Sequence, residues 1–156
     1  MKIFLIFLLF AFSSLSQAQT TVWGVDGAWH NPLAGAMRVL GTLRAANMNS
    51  TADQAIAIPA TITKWAPTAI WATNCTGSLT LASGGVYPSA SKGGTALVAA
   101  TQAYSALTGS TVVLPMTMAA NIATTLQTVA TVYFSLTTAS GAAATCDIYI
   151  LGVDLT

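Results

Sequence analysis

The sequence predicts an all-β protein, an antiparallel β-sandwich with a jelly-roll-like layout. Three observations predict it. Apolar residues along most of the chain recur every second position rather than every 3.6. Such runs are short and return at intervals of roughly 10–20 residues, with Gly and Pro between them. The composition also favours strands: of 156 residues, 23 are Thr and 29 are Ala, none is Glu, 54 % are apolar and only 6 % are charged. Threonine is β-branched and covers a wet sheet face without charge. Alanine lets sheets or subunits approach closely. A coiled coil or charged helical bundle is excluded, because the Glu, Lys and Arg that build one are scarce. Disorder is excluded by the apolar content. The lack of a basic patch argues against binding a nucleic-acid backbone.

Residues 1–18 read as a helical secretory signal peptide. Lys2 is the positive end, Ile3 to Phe12 is an unbroken apolar run, and Ser16-Gln17-Ala18 places small residues for cleavage after Ala18. The run is too short for a stable membrane span, which needs roughly 20 residues. A retained N-terminal anchor or a mispredicted start codon is the alternative. The chain that remains after cleavage carries Arg38, Arg44, Lys64 and Lys92 against Asp26, Asp53, Asp147 and Asp154, so it is formally neutral. A neutral surface has little self-repulsion and tends to associate. Intact mass of the exported protein is expected to begin at Gln19; a chain that keeps Met1 to Ala18 would overturn the signal-peptide reading.

Residues 19–34 follow as an extended arm, broken by Gly24, Gly27, Asn31 and Pro32. Its Trp23 and Trp29 are the candidate docking aromatics; if buried, they pin the arm to the domain instead. Residues 35–156 form one sandwich domain with no linker. Ala36 to Leu43 opens it, with Met37, Val39 and Gly41 or Leu43 on one face. Gln54 to Ile58 is short and ends at Pro59. Thr68 to Thr73 comes next, and Trp65 and Trp71 beside it read as core. Ser78 to Ala82 alternates cleanly, and Gly84-Gly85 punctuates after it. Thr95 to Leu107 fits a short helix or two short strands. Val112 to Met118 follows. The strongest strand is Thr131 to Thr137, where Val132, Phe134 and Leu136 face one way. Cys146 to Leu151 closes the domain, with Ile148 and Ile150 on one face and Tyr149 and Leu151 on the other. The segment Ala139 to Ala143 between these last two runs suggests an antiparallel hairpin. Ser78 to Gly84 matches Ser135 to Gly141 at six of seven positions; chance explains this in so Ala-, Ser- and Thr-rich a chain.

The two cysteines, Cys75 and Cys146, form a disulfide if the chain matures outside the cytoplasm. As free thiols they would be small buried hydrophobes. One histidine cannot complete a four-ligand zinc site with them. No metal or cofactor is expected. Catalysis finds few candidates: His30 with Asp26 lacks a G-x-S-x-G elbow, and the four aspartates are scattered. Asp53 suits a turn. Lys92-Gly93-Gly94-Thr95 has its lysine before the glycines, so it reads as a turn and not as a phosphate loop. No catalytic residue is assigned, and the chain reads as no enzyme. Asn49-Ser50-Thr51 and Asn74-Cys75-Thr76 are sequons, meaningful only in a eukaryotic secretory host.

Three stretches carry a resemblance: Leu43-Arg44-Ala45-Ala46-Asn47-Met48-Asn49, Gly84 to Thr95 with its Tyr87-Pro88 and Lys92-Gly93-Gly94-Thr95, and Phe134 to Thr145. They resemble small virion structural proteins of tailed bacteriophages. The resemblance covers most of residues 36–151. It implies a virion location, as a head-decoration, head-fibre or tail accessory protein, and brings no functional residues with it. The leader departs from that pattern and suggests an exported protein. The leading expectation is thus a non-enzymatic structural protein that binds the protein surface of a virion or a second copy of itself, located in the virion or outside the cell. The rival is an exported carbohydrate-binding module using Trp23, Trp29, Tyr87 or Tyr104 as a stacking platform.

Overall fold

The computed structural model describes residues 37–156. The signal-like helix, the cleavage after Ala18, the arm with Trp23 and Trp29, and Asp26 and His30 lie outside the described residues. Seven strands make up the fold: β1 (Met37–Asn47), β2 (Gln54–Ala57), β3 (Trp65–Thr76), β4 (Ser83–Tyr87), β5 (Leu114–Pro115), β6 (Thr131–Thr138) and β7 (Thr145–Asp154). The helix among the described residues is one 3-10 turn, Ile122–Thr124. Among these residues no helix is long and apolar enough to cross a membrane. The fold is all-β, as the period-two pattern predicts.

The strands form two antiparallel sheets, ordered β1-β7-β3-β5 and β2-β6-β4. Odd-numbered strands make the first sheet and even-numbered strands the second. Every connection therefore crosses from one sheet to the other. This corrects the hairpin expected between the last two strands: β6 pairs with β2 and β4, while β7 pairs with β1 and β3. The crossing at residues 139–144 is tied down locally. Ser140 donates its N–H to the Met48 carbonyl, and Met48 donates to the Ala144 carbonyl at 2.9 Å. Turn-forming residues signal a change of direction, but not whether the chain returns to the same sheet.

The inward residues of both sheets meet in one core cluster. Leu40, Ile70, Ile148 and Ile150 come from the first sheet, and Ile56, Val86, Val132, Phe134 and Leu136 from the second. Tyr104 packs edge-on against Phe134, with ring centroids 5.9 Å apart. Its hydroxyl donates to the Gly84 carbonyl, and burial pushes that hydroxyl's pKa up. Such buried hydroxyls need a partner, and here the backbone supplies it.

Three other expectations are corrected, and one holds in part: Met37 and Val39 share a face, the outer one, but neither Gly41 nor Leu43 lies on it. The bulge between Val39 and Gly41 then turns Leu40 and Gly41 inward. Trp65 is core, whereas Trp71 is exposed. The register shift between Pro67 and Ala69 inserts one residue into β3, so the inward positions change from Trp65 and Pro67 to Ile70 and Ala72. Each bulge resets the side-chain parity. Ser78 to Ala82 is no strand: Ala82 donates to the Leu79 carbonyl, closing a turn, and the strand begins at Ser83. Thr95 to Leu107 is neither a helix nor two strands. It lies along β4 through isolated bridges, Val98 to Val86 and Ala103 to Ser83.

Candidate docking face

The outer face of the first sheet is built from β1, β7, β3 and the segment entering β5. On β7, inward Cys146, Ile148 and Ile150 leave Tyr149 and Leu151 on the opposite face. Register then places Tyr149 between Thr42 and Trp71, and Leu151 between Val39 and Ala69. Val39, Trp71, Thr73, Val113, Tyr149 and Leu151 line a shallow apolar depression of about 350 Å³. Met37, Val39, Trp71 and Val113 are all exposed, at 63, 51, 39 and 52 %. A contiguous exposed apolar patch of this kind marks an interaction surface more often than scattered single residues do.

One end of the face is held by Asp147. Its carboxylate accepts from the Arg44 guanidinium at 2.7 Å, the Ala45 N–H at 2.8 Å and the Asn74 side-chain amide at 3.2 Å. Ala45 and Asn74 both have left-handed backbones, with φ of 47° and 51°. They belong to bulges on β1 and β3, the strands flanking β7. One buried side chain on the central strand thus fixes the irregularities on both sides of it. The Arg44 guanidinium also lies over the Tyr149 ring, 4.8 Å from its centroid, a cation–π geometry. At the other end Arg38 pairs with Asp154.

Burial works against ionisation of Asp147, but the Ala45 N–H, Arg44 and Asn74 outweigh it and hold the carboxyl below its ordinary value. A carboxyl depressed in the folded state stabilises fully above its unfolded value of about 4, and that contribution is lost as pH falls through the folded value. Asp147→Asn is therefore expected to cost about 2 kcal/mol at pH 7, the size of hydrogen bonds to a charged group. The deficit should shrink in acid. Thermal melts from neutral to acid pH check this: equal losses at every pH would show that Asp147 is not a linked group. Asp53 and Asp154 are also held low, by the Ser91 and Thr156 backbone N–H groups first, so the variant keeps part of the acid sensitivity.

Cys75 on β3 and Cys146 on β7 are joined by a disulfide, close to the Asp147 cluster. Asp53 accepts from the Ser91 N–H, anchoring the turn at Ser91 and Lys92, whose φ values are 56° and 59°. That turn contains Lys92-Gly93-Gly94, so these residues serve chain reversal. Tyr87 and Tyr104 are buried at 4 and 0 % exposure. Neither ring can stack on a sugar from outside, which corrects their place in the carbohydrate platform. Asp53, Asp147 and Asp154 each hold backbone or guanidinium groups in separate places. Among the described residues no three His, Cys, Asp or Glu side chains come together to hold a metal ion. The face itself was missed in the sequence. Its one legible signal was the outward pairing of Tyr149 with Leu151.

No protein-family model matches the chain, no curated protein matches its sequence, and no solved structure matches its fold.

Proposed function

We propose that this chain is a non-enzymatic structural protein that docks on a protein surface, of the kind a virion presents, through the outer face of its first sheet. The observation that carries this reading is the apolar patch around Trp71, exposed among the described residues. Strand order supports it. The orders β1-β7-β3-β5 and β2-β6-β4 are those of an eight-stranded jelly roll short of one strand. The segment at Val98, bridged to the free side of β4, stands where that strand would run. Jelly rolls serve in capsid and lectin domains alike, so this fold-level analogy fits both a virion protein and a sugar binder. The face favours the protein-docking reading. A sugar platform presents bare rings beside free hydrogen-bonding groups. Here Arg44 covers Tyr149, and Arg44, Asp147 and Asn74 satisfy one another. The patch suits aliphatic and aromatic side chains of a protein partner better. The disulfide fits maturation outside a reducing cytoplasm, and with the signal-like leader it favours an exported or extracellular protein.

Mass spectrometry of purified particles and of culture supernatant tests the location. Trp71→Ala is expected to weaken particle retention at least tenfold, or about 1.4 kcal/mol, as for a buried aromatic anchor. His30→Ala should leave retention unchanged. Retention on polysaccharide that needs Trp71, without retention on particles, would select the carbohydrate module. Hydrolytic activity that disappears in His30→Ala would overturn the structural reading.

A further inference from the structure

We draw no further inference here: the strongest candidate, the apolar depression on the outer face of the first sheet around Trp71, belongs to the docking face already described, and nothing among the described residues shows what covers it.

Discussion

Replacing Cys75 and Cys146 together by alanine is expected to lower the unfolding free energy by about 4 kcal/mol. The bond joins residues 71 positions apart, so breaking it frees a long loop in the unfolded chain. Alanine is the suitable replacement because both positions are buried, at 3 and 0 % exposure, and serine would add an unpaired hydroxyl. In a domain of this size the loss corresponds to roughly 15 °C in melting temperature. The effect should extend to the docking face. The bond ties β3 to β7 next to the Asn74 bulge, and Asn74 shares Asp147 with Arg44, which covers Tyr149. Wild type treated with reductant in denaturant and refolded should melt with the double variant. Equal melting of oxidised and reduced wild type would show that the bond constrains nothing. Peptide mapping that finds both thiols free in protein isolated from its source would instead place maturation in a reducing compartment and favour cytoplasmic assembly.

Periodicity made the interior of strands legible and left their sidedness obscure. Val132, Phe134 and Leu136 alternate without interruption, and all three reach the core. Ile148 and Ile150 do the same. In β3 the pattern misleads, because a single residue inserted near Thr68 reverses the side chains from Ala69 to Thr73 and puts Trp71 outside. Nothing in the residue types there announces a bulge, since Pro67 and Thr68 fit a regular edge strand equally well. The glycines at 84 and 85 misled in the opposite sense. They read as punctuation, yet both lie inside β4, where the absence of a side chain is what the packing requires. Pairing was the least legible level. Residues 139–144 look like a hairpin turn, and only the burial of Val132, Phe134 and Leu136 against Ile148 and Ile150, across the core rather than beside them, makes the crossing necessary. The docking face was obscure for the same reason. It gathers Val39, Trp71, Val113 and Leu151 from four separate stretches, and Trp71 among them reads as core.

Gly85→Ala is expected to destabilise the fold by about 3 kcal/mol, the upper range for overpacking a well-filled site. A Cβ on Gly85 would stand 2.2 Å from the Val98 carbonyl oxygen and 3.0 Å from the Ala99 carbonyl carbon. Backbone cannot rotate away as a flexible side chain does, so relief requires the whole segment to retreat. Its hydrogen bonds prevent that. The Val98 carbonyl accepts from Val86 N–H at 3.1 Å, Leu97 donates to the Val86 carbonyl at 2.8 Å, and Ala119 donates to the Leu97 carbonyl at 2.9 Å. The segment is pinned to β4 on one side and to the approach to Met118 on the other, so the methyl group must break one ladder or push β4 off β6. A glycine elsewhere supplies the control: nothing lies within 4 Å of a Cβ on Gly109, and Gly109→Ala should stay within about 0.5 kcal/mol of wild type. Chemical denaturation of the two variants distinguishes close packing from the general effect of losing a glycine. If Gly85→Ala unfolds with wild type, the Val98 segment does not lie against β4 in solution. The edge of the second sheet would then stand open to an added strand, and the jelly-roll reading would lose its footing.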